Sequence, residues 1–324
     1  MLRRGITPAI LGAGLVMGCL VLTHIGGARA MTFTLNVKDL PQYGLIIVAP
    51  ADAQYQAEIS HFNTGPNAGP MMTAMQPYWA VMKNSDSSRS LVAYNLVWEM
   101  TRADGFVVTR QAAYSNSGAF MRHDFGPNPA AVLSEGHAIA PGSSRLVSPF
   151  FALNPAEPSG LGGIGIGSQD QSMGQKATAA AGRKDPAQLA ALAAEDMQRY
   201  VAMTVSIDGA FFSDGSFVGP DSTGYFSEFK ALADADQDLL AEIARARQSG
   251  KGSAEIFDRI SALANQNCCD SLQADSTPME QYKYHSKRFA QNLLRMRTVL
   301  KDDDKALSTA LVRLPSQRAN LHKQ

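Results

Sequence analysis

Leu91-Val92-Ala93-Tyr94-Asn95-Leu96-Val97-Trp98-Glu99-Met100 is the stretch whose periodicity decides the fold class. In an extended chain, successive side chains point to opposite faces. Val92, Tyr94, Leu96, Trp98 and Met100 then share one face, and Leu91, Ala93, Asn95, Val97 and Glu99 share the other. A helix, turning by ~100° per residue, would scatter those large side chains around its circumference. The pattern therefore predicts a core strand with one partly wet face. Asp104-Gly105 follows, a dipeptide that tolerates the positive φ of a hairpin turn, and Phe106-Val107-Val108 returns as the partner strand.

Working outward, the period stays at two. Tyr78 to Lys83 is a short apolar run ending at Asn84 and the turn Ser85-Asp86-Ser87-Ser88. Phe33, Leu35 and Val37 alternate with Thr32, Thr34 and Asn36, and Leu45 to Ala49 is continuously apolar, as in a strand covered on both faces. Ile139-Ala140-Pro141-Gly142 marks a turn before a strand from Arg145 to Leu153. The alternation returns at Val201, Met203, Val205 and Ile207, with Asp208-Gly209 and Asp214-Gly215 as turns and Phe217-Val218 beyond them. Short strands separated by turn signals indicate an antiparallel sandwich and not alternating βαβ units.

After Pro220 the period becomes helical. Phe229, Leu232, Leu239, Leu240 and Ile243 make one stripe ended by Gly250, and Ile256, Phe257, Ile260, Leu263 and Ala264 make a second. Thr277-Pro278-Met279-Glu280 spells a capping box opening a long helix with the stripe Tyr282, Phe289, Leu293, Met296 and Leu300. Leu307, Leu311 and Leu314 continue it past the solvated patch Asp302-Asp303-Asp304 to Pro315. The expected fold class is thus α+β: an antiparallel β-sandwich over 31–220, then a helical bundle or helical hairpin over 221–324. Residues 154–184 are rich in Gly, Ser, Gln and Ala, too poor in apolar side chains to offset ordering entropy, and are expected to be a mobile insertion. A short helix over 186–198 follows, with Asp185 as N-cap, Pro186 at its first position, and Leu189, Leu192 and Met197 on its apolar side.

Residues 1–30 read as a secretory signal. Arg3 and Arg4 precede an apolar core from Ile6 to Ile25, and Ala28-Arg29-Ala30 supplies the small-x-small pattern for cleavage after Ala30. An uncleaved anchor is disfavoured by the glycines that interrupt this core, near the lower length limit for spanning ~30 Å of hydrocarbon. A lipoprotein signal at Cys19 is disfavoured because Leu20-Val21-Leu22 continues the apolar core beyond it. The expected location is the periplasm or the exterior, with membrane contact only through an uncleaved leader. The chain has 29 basic and 29 acidic residues; without Arg3, Arg4 and Arg29 the exported part carries −3. That balance offers no footprint for nucleic acid and no polybasic cluster for an anionic membrane.

No residue set announces catalysis, a metal or a cofactor. Gly160, Gly162 and Gly165 spell G-x-G-x-x-G, but without the strand and helix that make it a dinucleotide site. Ser227-Glu228-Phe229-Lys230 spells S-x-x-K without its companion motifs. His61, His123, His137, His285 and His322 share no ligand spacing and are assigned to surface or loop. Trp79 and Trp98 could stack on sugars, but the alternation places Trp98 in the core. The adjacent Cys268 and Cys269 are either two thiols at a helix end or a vicinal or intermolecular disulfide.

The stretch from Pro77 to Val108 resembles the immunoglobulin-like β-sandwich module of uncharacterised exported bacterial proteins. Asn84 before its Ser/Asp turn, Ala93-Tyr94-Asn95-Leu96-Val97-Trp98-Glu99 and Asp104-Gly105 carry the likeness. Ser206-Ile207-Asp208-Gly209 to Asp214-Gly215-Ser216-Phe217-Val218-Gly219-Pro220 looks like their closing hairpin. The resemblance implies a fold and an exported setting and transfers no catalytic residue. The function expected is binding of a protein or envelope component; a loop-built hydrolase site or an envelope assembly or chaperone role are the alternatives. The enzyme reading requires at least two of His61, His123, His137 and the acidic residues to converge in a loop-lined pocket, whereas the interaction reading requires an exposed apolar patch or sheet edge instead.

Overall fold

A computed structural model describes residues 33–62, 75–115, 138–149, 186–268, 270–273, 275–312 and 320–324. The leader, the 154–184 insertion, Asp185, His123, His137, Cys269, Leu314 and Pro315 lie outside these residues. The chain is mixed α+β, and among the described residues most of the helical ones lie in the C-terminal third.

The strands are β1 (Thr34–Lys38), β2 (Leu45–Val48), β3 (Ala80–Asn84), β4 (Leu91–Arg102), β5 (Val107–Ser115), β6 (Ser144–Val147), β7 (Tyr200–Phe212), β8 (Ser216–Val218) and β9 (His322–Lys323). The larger sheet has the order β5-β4-β7-β8-β9, with β1 also on β7; the smaller is β2-β3-β6. Most pairings are antiparallel, but β1 runs parallel to β7 and β9 parallel to β8, which corrects the purely antiparallel expectation. Leu45 and Met82 from the smaller sheet share one apolar cluster with Leu96, Trp98, Met100, Val205 and Phe212 from the larger. Fully burying an aliphatic side chain such as Leu96 or Met100 contributes about 1.5–3 kcal/mol, so this shared face is the main source of cohesion between the sheets.

The outer faces are covered too. Val48, Val81 and Leu146 pack with Tyr55 and Ile59 of α1 (Tyr55–Ser60), with Trp79, and with Ala193 of α2 (Pro186–Met197). Trp79 is fully buried, so it is a core residue and not a stacking platform. On the far side of the larger sheet, Ala93, Phe211 and Phe217 receive Tyr225, Phe229 and Leu232 of α3 (Tyr225–Gln248). The second face of β4 is therefore wet only towards its end, at Val97 and Glu99, because α3 covers its start.

Two β-bulges overturn details of the alternation. At the start of β4, Leu91 opposes Phe212 and Ala93 opposes Phe211, which leaves Val92 without an opposite residue. An extra residue in one strand reverses the facing of what precedes it. Leu91 accordingly joins Tyr94 and Leu96 between the sheets, and Val92 turns to α3, the reverse of the expected assignment. In β7, Asn95 opposes Gly209 and Leu96 opposes Ile207, so Asp208 is the extra residue. Asp208-Gly209 is thus no turn; the strand runs through it to Phe212, and only Asp214-Gly215, with Gly215 at φ +85°, makes the reversal.

The other helices are α4 (Ser253–Ala264), α5 (Pro278–Leu300) and α6 (Asp303–Leu311), and the second half of α3 shares one cluster with them through Leu240, Phe257, Leu293 and Leu307. The capping box forms as expected: Thr277 accepts from the Glu280 N–H while the Glu280 side chain accepts from the Thr277 N–H. The long final helix is in fact two. Lys301 takes φ +54°, and Asp302 caps a new helix by accepting from the Lys305 N–H at 2.9 Å. The acidic patch is not simply a solvated face, because Asp303 grips Arg297 at 2.7 Å and Asp304 meets Arg247 at 3.3 Å. A left-handed conformation costs a side-chain-bearing residue about 1–2 kcal/mol. Lys301→Gly is expected to stabilise the chain by about 0.5–1 kcal/mol, part of that gain being offset by the freer unfolded chain; urea unfolding would check it.

Candidate functional site

β8 lies between β7 and the short outermost strand β9, so this border of the larger sheet is covered by a segment from far along the chain. The Asp214-Gly215 turn delivers Ser216, Phe217 and Val218 back onto β7, with Phe211 opposite Phe217. Asp214 stiffens the reversal by accepting from the Ser216 N–H at 2.9 Å and the Ser216 hydroxyl at 2.6 Å. Arg89, stacked 4.1 Å over the Phe212 ring, donates to the same hydroxyl at 3.0 Å. Arg89 is in turn fixed by Asp86, whose carboxyl is held well below the usual carboxylate range by the Ser88 backbone N–H, with Arg89 adding to the effect.

On the outer side of β8 lies the Asn320–Gln324 segment, of which His322 and Lys323 form β9. The His322 N–H donates to the Gly215 carbonyl at 3.1 Å, and the Gln324 N–H to the Phe217 carbonyl at 2.9 Å. A Cβ on Gly215 would sit 2.5 Å from the Asn320 carbonyl oxygen, so only glycine lets the added segment come this close. Residues two apart in a strand face the same side. Leu321 and Lys323 accordingly turn inward, Leu321 onto the cluster around Phe211 and Phe217, while His322 is exposed. The Lys323 ammonium reaches Asp221 at 2.6 Å and lies 5.2 Å above the Phe226 ring and 5.9 Å above Phe217.

Asp221 is placed by Asp208, which the local sequence pattern assigns to a turn. Bulged out of β7 and buried, Asp208 accepts from the Ser222 N–H and hydroxyl at 2.8 and 2.5 Å, and from the Thr223 N–H and hydroxyl at 3.2 and 2.5 Å. Asn95 buttresses this arrangement by donating to the Thr223 hydroxyl at 2.8 Å. The Asp208 carbonyl accepts from the Asp221 N–H at 2.8 Å. Asp221 itself holds φ +54°, accepts from the Phe226 N–H of the first turn of α3 at 2.9 Å, and leaves its other oxygen for Lys323. A carboxylate at a helix N-terminus is favoured by the exposed N–H groups there.

Two further features lie nearby. A cleft of about 320 Å³ opens beside Asp208 and Ser222 and is bordered by Lys38, Glu99 and Ser206. Between α3 and α5, Glu228 and His285 are both buried, with Oε1 and Nε2 3.9 Å apart and neither atom hydrogen-bonded. Desolvation pushes Glu228 up to about 7 and His285 down to about 4, the latter helped by Arg288. His285 is therefore no surface residue: it lies on the face of α5 that packs against α3.

Among the described residues, the remaining sequence candidates do not converge. His61 is the exposed residue ending α1, and the His322 ring contacts the Asn320 carbonyl at 3.0 Å. Ser227 donates to Gln281 at 3.1 Å and Lys230 to Asp234 at 2.7 Å, so the S-x-x-K residues face separate partners. Cys268 is half-buried in the loop after α4, which Lys287 holds by donating to the Gln266 and Cys268 carbonyls at 2.8 and 3.2 Å. Asp221 and Lys323 escaped the sequence reading because a single charge far along the chain has no spacing to flag it; Asp221 two residues before Thr223-Gly224 was the only local hint. Compared with models of protein families, with curated proteins and with solved structures, the chain matches none.

Proposed function

We propose that this is an exported interaction protein that binds an extended segment of a partner protein by strand addition at β8. The observation that carries the reading is β9: a two-residue strand already lies on that edge, joined by backbone hydrogen bonds and seated over aromatic rings. Strand addition takes affinity from main-chain bonds and selectivity from pockets for alternate side chains, and both are available here. The sandwich reading is of immunoglobulin-like type in this proposal, supported by the apolar cluster shared between the two sheets and by the β4–β5 hairpin at Asp104-Gly105. Export rests on the basic, apolar and small-residue sequence of the leader.

The test uses cells that export the chain. A photo-crosslinker at Ser213, exposed in the same turn and outside the contacts of Asp214 with Ser216, is expected to give one discrete adduct with a second polypeptide. The same probe at Arg259 on α4 is expected to give none, and mass spectrometry of the exported chain should find Met31 first. Equal adducts at both positions, none at either, or a hydrolytic activity of the purified chain lost in His61→Ala would sink the reading.

A further inference from the structure

We infer that the β8 edge selects a lysine placed two residues after an apolar side chain, and that Asn320–Gln324 is a pseudo-ligand occupying the edge in cis, which a partner's segment must displace. This rests on the strand-addition reading above and adds the chemistry of the occupant. Leu321 and Lys323 supply the pattern. Being two apart, they face the same side, one entering the aromatic cluster and the other spanning Phe217 and Phe226 to reach Asp221.

The receptor groups are fixed by contacts that do not involve the segment. Asp221 is held by the Phe226 N–H, which donates to its carboxylate at 2.9 Å, and by its own N–H on the Asp208 carbonyl at 2.8 Å. The carboxylate thus belongs to the loop before α3, and the ammonium comes from the added segment. Phe226 is held by the start of α3 and stacks on Phe211 at 5.6 Å, so the rings exist as a platform irrespective of the lysine. A cation over an aromatic face and beside a carboxylate gains from both, and the gain grows as the site is desolvated. Neither a neutral nor an acidic side chain satisfies Asp221 in this way.

The hold on the segment is slight. Its ladder spans two residue pairs, and His322, Lys323 and Gln324 are all exposed. A cis strand of this kind shields an edge from indiscriminate pairing, yet it can be replaced by a longer segment with the same pattern. Its advantage is effective concentration, in the mM range for short connections, so a competing segment wins by making more backbone bonds along β8.

The test is a titration of the exported chain with a peptide of the Asn320–Gln324 sequence, followed by NMR at the Phe217 and Asp221 amides. Lys323→Glu turns the cis segment against Asp221, and this variant is expected to bind the peptide about tenfold more tightly than the wild type. Peptides with methionine or glutamate in place of the lysine should bind the Lys323→Glu chain at least tenfold more weakly. Adding Asp221→Asn, which keeps an acceptor for the Phe226 N–H, should abolish the preference for lysine. Equal binding of the lysine, methionine and glutamate peptides would overturn the inference while leaving strand addition intact. Equal binding of the lysine peptide to wild type and Lys323→Glu would overturn the cis pseudo-ligand. Failure of every peptide to bind either chain would overturn both the inference and the reading beneath it.

Discussion

Asp208→Ala is expected to cost about 3–4 kcal/mol of folding free energy, read as a fall in the midpoint of urea unfolding. The carboxylate accepts four hydrogen bonds from Ser222 and Thr223 and is the point at which β7, the loop to α3 and, through Thr223, β4 are tied together. Hydrogen bonds to a charged group contribute about 1.5–3 kcal/mol each in isolation, but these share one acceptor and do not add. Breaking a buried polar network typically costs a few kcal/mol because the abandoned donors stay desolvated. Asp208→Asn retains one accepting oxygen and should lose about half as much. The loss should be accompanied by faster amide exchange at Ser222, Thr223 and Phe217. A cost under about 1 kcal/mol for Asp208→Ala would mean that the loop is held by other contacts.

The second large effect depends on pH. Burial raises Glu228 from 4.5 to about 7, so the folded state favours its protonated form. Between those values the unfolded chain releases the proton first, and stability falls as pH rises. At about 1.4 kcal/mol per pKa unit, the whole span is worth about 3 kcal/mol. His285 is moved the other way, from 6.5 to about 4, so its contribution is complete above the unfolded value and is lost as pH falls to about 4. The two slopes oppose one another between about 4.5 and 6.5, and the wild type should show a nearly flat stability there. Each single variant unmasks its partner. Glu228→Gln should be more stable than the wild type at pH 8, by up to about 3 kcal/mol, and should lose stability on acidification through His285. His285→Gln should gain stability as pH falls from 7 to 4.5. Urea midpoints across pH 4.5–8 measure both. If Glu228→Gln is destabilised at pH 8, the carboxylate is ionised and paired, and this account of the interface between α3 and α5 is wrong.

These groups mark where the sequence stops being sufficient. Local rules placed β4, the Asp104-Gly105 hairpin, the Asp214-Gly215 reversal, the Thr277 capping box and the stripes of α3 and α4, because each depends on neighbours a few residues apart. The same rules misread Asp208-Gly209, since a bulge and a turn use the same residue types and only the partner strand distinguishes them. They carried one helix through Lys301, although a cap at Asp302 begins another. No local rule could pair Glu228 with His285 or Asp221 with Lys323, which are 57 and 102 residues apart.

What the chain's own order of residues determined is most of the strands, the apolar stripes of α3, α4 and α5, and the helical character of the region after Pro220; α1, β9 and the break at Lys301 were outside its reach. Tertiary structure alone decided that β1 and β9 enter the larger sheet in parallel, that α3 covers its second face, and that a lysine near one end of the chain is seated beside an aspartate in the loop before α3. The physical reason is range: periodicity and capping act within a turn or two of chain, whereas registers, bulges and buried charge pairs are selected by whichever distant surface leaves the fewest polar groups unsatisfied.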